Sequence, residues 1–440
     1  MERKLLRDLV SWADSVDRKP LVLLGARQVG KTFLLHQLGE QKFKQILYIN
    51  FEEEPNLKSI FQGSLNPNNI IMAISANYSV NFTPEDTLIF FDEVQECPEA
   101  LNSLKYFCEQ APEYYIVAAG SLLGVKLKRS KGFPVGKVDF MHLYPLSFFE
   151  FLGAIEENQL LDYLENYNTL DPLPDLLHQK ALGLFKIYLY IGGMPEAVKK
   201  YCKTKDFLQV REVQKAILRA YEFDFGKHVP SNDIARVTQV WQSMPAQLGK
   251  ENKKFVYKVA RSGARARDYE DAIQWLIDAG LIYRASSTSI PNTPLSAYIT
   301  GDAFKLYVID TGLLGSMSRL ESSSIIQGEE IFKEFKGSLI ENAVAIILAK
   351  LFDNKLHYWT SGNTAEVDFL WQLEKGIFPI EVKSGSSNKK KSLRIYTDRY
   401  NPRYSFRFSP MNLRHDGKLI NIPLYLLEKS SDLCKPLNLK

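Results

Sequence analysis

The chain has 440 residues and a formal charge of +4, from 55 Lys and Arg against 51 Asp and Glu, a length that corresponds to about three domains. Hydrophobic residues make up 45% and charged residues 24%, which excludes a mainly disordered, collagen-like or coiled-coil chain. The longest apolar stretches, such as Ala343 to Ala349, fall short of the ~20 residues of a spanning helix. The charged start Met1-Glu-Arg-Lys-Leu-Leu-Arg-Asp8 lacks a signal-peptide core, and Cys97, Cys108, Cys202 and Cys434 have neither metal spacing nor a disulfide framework, so a soluble cytoplasmic protein with no membrane partner is expected.

Residues 3 to 16 read as an amphipathic helix, with Leu5, Leu6, Val10 and Trp12 on its apolar stripe. Short apolar runs follow at 20–24, 46–51, 87–91 and 115–119, with helical patterns between them, for example Ala100 to Gln110. Strand alternating with helix predicts a parallel α/β sheet covered on both faces. The stretch 151–225 is helical and rich in Leu and Tyr. Helices near 232–247 and 265–279, then strands at 281–285 and 304–309, follow the order of a winged helix-turn-helix. Glu321 to Ser324 reads as a linker. A helix near 337–352, strands near 355–360, 365–371 and 377–383, and a basic tail complete the chain.

The sharpest motif is Gly25-Ala26-Arg27-Gln28-Val29-Gly30-Lys31-Thr32. It fits G-x-x-x-x-G-K-[ST] between a predicted strand and a predicted helix. The two glycines let the loop curl so that backbone N–H groups face an anion, and the helix N-terminus points its positive end at the same place. Lys31 is expected to reach the β- and γ-phosphates of ATP, and the Thr32 hydroxyl to hold Mg²⁺. The apolar strand Thr87 to Phe91 delivers Asp92-Glu93. Asp92 suits Mg²⁺ through water, and Glu93 suits polarising an attacking water. The strand pattern Gln45 to Phe51 stands between the two motifs in sequence, which we read as the added strand of ATPases with a catalytic Glu. Ser121 ends the run from Tyr115 and is a candidate contact for the γ-phosphate or the water. Arg27, Arg129 and Lys137 are candidate charge stabilisers, in cis or across the interface of a homo-oligomer; for each, a solvated surface position is the competing reading.

A second constellation comprises Glu341, Asp368, Glu381 and Lys383. On an alternating strand Glu381 and Lys383 share a face. Three carboxylates converging on a hard cation suit a metal-dependent nuclease, the ion activating water and Lys383 assisting at the phosphodiester. The competing reading is an exposed E-x-K strand with Asp368 paired to a neighbouring base. Two basic runs lie nearby. Lys250 to Arg267 holds seven Lys and Arg; Lys383 to Lys418 holds ten, interleaved with Tyr396, Tyr400, Tyr404, Phe406 and Phe408. Clustered cations with aromatics suit DNA or RNA, and a solvated face over core aromatics is the alternative.

Together with Pro145-Leu-Ser-Phe-Phe-Glu-Phe-Leu152, Gly192-Gly-Met-Pro-Glu196, Pro245 to Lys254, Gly337-Ser-Leu-Ile-Glu-Asn342 and Pro379-Ile-Glu-Val-Lys-Ser-Gly385, these motifs resemble the prokaryotic AAA+-like ATPases fused to a C-terminal PD-(D/E)XK nuclease-like domain. The resemblance implies a P-loop ATPase domain over 1–150, a helical lid over 151–225, a winged helix-turn-helix over 226–320 and an α/β restriction-endonuclease-like domain over 321–440. By the same resemblance Lys31, Thr32, Asp92, Glu93 and Ser121 take ATPase roles, and Glu341, Asp368, Glu381 and Lys383 take nuclease roles. Where the family usually has Gly-Arg before the Pro-Leu-Ser-Phe segment, this chain has Gly136-Lys137, which lacks the bidentate fork of Arg. The expected function is a Mg²⁺-dependent ATPase coupled to nucleic-acid binding or cleavage. The alternative is an ATP-driven switch or scaffold whose nuclease-like domain only binds DNA or protein.

Overall fold

A computed structural model describes residues 1–125, 136–250, 253–321, 333–362, 365–385 and 391–438. The chain forms two compact units, one of Met1–Tyr144 with Asp278–Gly280, the other of Pro145–Ile277 and Leu281–Lys440. Among the described residues no helix is long and apolar enough to cross a membrane.

The first unit opens with helix α1 (Leu5–Asp14) and strand β1 (Leu21–Leu24). Helix α2 (Lys31–Lys42), β2 (Gln45–Asn50), α3 (Pro67–Tyr78), β3 (Thr87–Asp92), α4 (Pro98–Gln110), β4 (Tyr115–Ala119) and β5 (Asp139–His142) follow. The five strands pair in the order β2-β3-β4-β1-β5, and every pairing is parallel. β3 is buried along its whole length, which explains its unbroken apolar run. Phe51, Phe61 and Phe91 pack with ring centroids 5.5 to 5.7 Å apart. The strand lying between the loop strand β1 and the acidic strand β3 is β4. The run at 45–51, read as the added strand because it stands between the two motifs along the chain, forms β2 at the sheet edge beside β3. Order along the chain does not dictate order in the sheet, because parallel strands are joined by crossovers.

The second unit begins with α5 (Phe148–Ala154), α6 (Asn158–Glu165), α7 (Asp175–Ile191), α8 (Pro195–Thr204) and α9 (Phe207–His228). Two of the recognisable motifs act here as structural joints. Ser147 and Glu150 form a capping box that starts α5. Gly193 accepts from the Leu146 N–H at 2.6 Å, and a Cβ on it would stand 2.0 Å from the Leu146 carbonyl oxygen.

Helices α10 (Ile234–Leu248), α11 (Tyr257–Ala260) and α12 (Ala266–Asp278) lead to the antiparallel pair β6 (Ile282–Thr288) and β7 (Ile299–Val308). After α13 (Thr311–Met317) and α14 (Lys333–Leu351) come β8 (Leu356–Thr360), β9 (Glu366–Val367), β10 (Phe369–Leu373) and β11 (Gly376–Val382). Helix α15 (Lys391–Tyr400) and strands β12 (Ser405–Ser409), β13 (Arg414–Asp416) and β14 (Leu419–Pro423) close the sheet region. The hairpin expected as a wing is not free-standing. β8 pairs in parallel with β6, giving a sheet of order β7-β6-β8-β9 that crosses the expected boundary at 320/321. β6 is largely buried, so both its edges need partners. The single strand expected over 365–371 is broken at Asp368. β9 pairs with β8, whereas β10 joins the second sheet, of order β10-β11-β12-β14-β13. The expected linker lies outside the described residues except for Glu321.

Candidate functional site

Gly25 and Gly30 have φ of 150° and 95°, and a Cβ on Gly25 would stand 2.3 Å from the Leu143 carbonyl oxygen. The loop therefore turns where only glycine fits and enters α2 at Gly30. Ala26 and Val29 are buried under it, Gln28 is exposed with φ 66°, and Arg27 is half-buried. Lys31 is 7% exposed, and its ammonium donates to the Gly25 and Ala26 carbonyls at 2.9 Å. Burial lowers its pKa to about 8, against the opposing charges of Glu93 and Asp92.

Thr32 Oγ1 donates to Asp92 Oδ2 at 2.8 Å, and the Tyr48 hydroxyl donates to the same oxygen at 3.1 Å. The Glu93 N–H donates to Asp92 Oδ1 at 2.9 Å. Burial pushes the Asp92 carboxyl above its ordinary range, and these hydrogen bonds oppose the rise. Glu93 stands in the left-handed region with φ 46°. Ser121 Oγ donates to its Oε1 at 2.7 Å, the Ser121 N–H donates to Oε2 at 3.2 Å, and Gln95 Nε2 also donates to Oε2. Burial works to raise the Glu93 pKa, but these donors and the Lys31 charge leave it below the ordinary glutamate range. The β2–β3 register sets Asn50 opposite Asp92; Asn50 Nδ2 donates to the Tyr48 hydroxyl at 3.2 Å.

The structure thus gathers Lys31, Thr32, Asp92, Glu93 and Ser121 at the ends of β1, β3 and β4. Thr32 and Asp92 are hard oxygen donors beside the phosphate loop, which fits Mg²⁺. Sequence reasoning missed Tyr48, Gln95 and Arg3. Buried Arg3, just before α1, donates from Nη1 to the Val29 carbonyl at 2.9 Å and from Nη2 to the Tyr144 carbonyl at 2.6 Å, bracing the loop. A charge ahead of an amphipathic helix was the sole sign of it. Of the charge-stabiliser candidates, Lys137 pairs with Glu109 at 2.9 Å and Arg129 lies outside the described residues.

The second constellation is arranged differently from the expected metal centre. Glu341, on α14, is 4% exposed. It accepts from the Tyr307 hydroxyl at 2.7 Å, lies 3.2 Å from Lys305 Nζ, and bonds Lys253. Lys305, 1% exposed, also meets Glu366 at 2.6 Å. Asp368 accepts from the Val382 N–H at 2.7 Å. Glu381 pairs with Lys383 at 3.0 Å, and its Oε2, which accepts no hydrogen bond from the described residues, faces Arg407 Nε at 3.7 Å. Among the described residues, Glu341, Glu366 and Glu381 are thus paired with Lys253, Lys305, Lys383 and Arg407, whereas Asp368 has a backbone partner. Desolvation and then the Glu341 charge push Asp368 up to about 7. The lysines, working against desolvation, hold Glu341 well below the glutamate range. Among the described residues no three His, Cys, Asp or Glu side chains form a metal-holding group. The neighbouring motif residues on α14 have structural partners too: Ser338 donates to the Leu248 carbonyl, and Asn342 bonds both backbone groups of Val308.

The basic runs also divide. Lys258, Arg261, Arg265 and Arg267 are exposed on and around α11 and α12. In the second run Tyr396 packs on Trp359 at 5.1 Å, Phe406 packs on Trp371 at 5.3 Å, and Phe408 is fully buried. These rings fill the core and cannot stack on bases. Glu251 of the first run and Lys389 and Lys390 of the second lie outside the described residues.

Residues 17–152 match a family described as an AAA domain. Residues 182–324 and 336–426 match two families, each described as a domain of unknown function, DUF8612 and DUF4143. A similar curated protein is the uncharacterized protein MJ1544 of Methanocaldococcus jannaschii, 23% identical over 401 residues, covering 87% of this chain and 78% of that protein. Similar solved structures include a Walker-type ATPase of Pyrococcus abyssi, at 15% identity and TM-score 0.45, covering 72% of this chain and 95% of that one. Another is the Aeropyrum pernix ORC1 protein in complex with DNA, at 12% identity and TM-score 0.31, covering 72% and 93%. With the phosphate loop, the parallel sheet and the AAA domain match over 17–152, the first unit has an AAA-type P-loop ATPase fold.

Proposed function

We propose that the first unit binds and hydrolyses ATP with Mg²⁺, and that the second unit binds nucleic acid under the control of that cycle without cutting it. The observation that carries the first part is the convergence of Lys31, Thr32, Asp92, Glu93 and Ser121 on one sheet edge. The loop amides and the α2 N-terminus receive the phosphates, and Lys31 offsets their charge. Thr32 and Asp92 would hold Mg²⁺, which supplies charge to the transferring phosphoryl group. Glu93, kept ionised by Ser121 and Gln95, orients the attacking water and takes its proton.

Nucleic-acid binding is favoured over cleavage by the pairing of Glu341, Glu366 and Glu381 with Lys253, Lys305, Lys383 and Arg407. The exposed Lys258, Arg261, Arg265 and Arg267 supply cations for a phosphate backbone. Calorimetry with ATP and Mg²⁺ tests the first part: the unaltered chain binds, and Lys31→Ala does not. For the second part, the Asp92→Asn chain is titrated with Mn²⁺ in the absence of nucleotide. No uptake is expected; stoichiometric uptake that Asp368→Ala removes would restore the metal-nuclease reading. Arg261→Ala with Arg265→Ala is expected to weaken binding to labelled duplex DNA or RNA.

A further inference from the structure

Tyr48 of β2 reaches the nucleotide site from outside both of its motifs. Tyr48 and Asn50 lie two apart on the strand and so point to one face of the sheet, and the parallel register sets them opposite Phe90 and Asp92 of β3. The Tyr48 ring is held there between His36 of α2, with centroids 5.0 Å apart, and Phe90, at 5.1 Å. Its hydroxyl stands 3.1 Å from Asp92 Oδ2, the oxygen that also takes the Thr32 hydroxyl at 2.8 Å.

The backbone sets the polarity of this contact. Asn50, 8% exposed, accepts through Oδ1 from the Glu52 and Glu53 N–H groups at 2.9 and 3.3 Å. Its side-chain oxygen is therefore the atom facing those amides, which leaves Nδ2 facing the Tyr48 hydroxyl at 3.2 Å. An amide nitrogen only donates, and a phenol has one proton. The phenol oxygen accepts from Asn50, so its own proton goes to Asp92. With its proton given to Asp92 and Asn50 on its oxygen, the hydroxyl acts on a bound ion through the carboxylate. We propose, on the ATPase reading of the first unit, that Tyr48 is a positioning residue for Mg²⁺: its hydroxyl holds the Asp92 carboxylate against Thr32, in the orientation that receives the ion. Groups that orient a metal-binding side chain strengthen ion binding without touching the ion.

The test compares the unaltered full chain with Tyr48→Phe, which keeps the ring between His36 and Phe90 and removes only the hydroxyl. ATP is titrated into each by calorimetry, once with Mg²⁺ and once with EDTA. The unaltered chain is expected to bind ATP more tightly with Mg²⁺. Tyr48→Phe is expected to keep the affinity seen in EDTA, which shows an intact phosphate loop, while its gain from Mg²⁺ is smaller by roughly 10- to 100-fold. The Mg²⁺ concentration that half-saturates the gain rises by a similar factor. A tyrosine with a purely structural role would weaken binding equally in both conditions. That result, or a Mg²⁺ gain left intact in Tyr48→Phe, overturns the positioning role and leaves the ATPase reading in place. Absence of ATP binding, or of any gain from Mg²⁺, in the unaltered chain overturns the ATPase reading and the positioning role with it.

Discussion

Ser121 Oγ donates a 2.7 Å hydrogen bond to Glu93 Oε1, joining the ends of β4 and β3 across the sheet edge. The bond helps to hold the Glu93 pKa below its ordinary range. Ser121→Ala removes a donor from the carboxylate, so the pKa rises. The acid limb of the hydrolysis pH profile is expected to move to higher pH, and kcat to fall about tenfold, with KM for ATP little changed. A loss of rate with an unmoved acid limb would count against Glu93 as the base.

Lys31 titrates near pH 8 because it is buried. Its charged form is the one that pairs with phosphates. ATP affinity is expected to weaken as pH rises through 8, and binding above that pH to take up a proton, since bound phosphates raise the lysine pKa. Calorimetry in buffers of different ionisation enthalpy measures the uptake directly. Constant affinity and no proton uptake between pH 7 and about 9 would remove Lys31 from the phosphate contact.

Lys305 is buried between Glu341 and Glu366. Lys305→Met leaves the carboxylates without that cation and is expected to cost about 3–5 kcal/mol of stability. Adding Glu341→Gln should then cost less than it does in the unaltered chain, because the charge it removes is already uncompensated. Urea unfolding of the four chains measures the coupling. Strict additivity would mean that the two residues do not form a unit.

The raised pKa of Asp368, about 7, has a definite sign in stability. The folded chain holds this proton more tightly than the unfolded chain, whose aspartates titrate near 3.9. This residue's contribution is therefore present at low pH and is lost as pH rises from about 4 to about 7. Asp368→Asn does not titrate and keeps an acceptor for the Val382 N–H. The variant is expected to be more stable than the parent at pH 8, and the difference to vanish near pH 4; equal melting temperatures at both pH values would contradict the assigned charge crowding.

The nucleotide site was legible because its chemistry is local. Gly25 to Thr32 lie within eight consecutive residues, and Asp92-Glu93 end an unbroken apolar strand. Ser121 was also found, since its strand ends beside β3. Tyr48, Gln95 and Arg3 were not, because they act through pairings and side-chain reach that have no spacing rule. The second constellation shows the opposite limit. The E-x-K spacing predicted a shared face correctly, and Glu381 does meet Lys383. The cations that pair with Glu341 come from Lys253 and Lys305, far off in sequence and on elements read as a winged helix. Likewise, nothing local marks β6 as the partner of β8, or Asp368 as the point where the chain passes between sheets. The aromatics at 396–408 alternate with basic residues, and alternation alone does not tell a stacking face from a core.

The most direct measurement is steady-state ATP hydrolysis with Mg²⁺ by the unaltered chain and by Glu93→Gln, with ATP binding measured in parallel. Glu93→Gln is expected to bind ATP as the parent does and to hydrolyse it about 10²–10⁴ times more slowly. Hydrolysis at the parental rate in Glu93→Gln, or no hydrolysis by the unaltered chain despite bound ATP, would contradict the account.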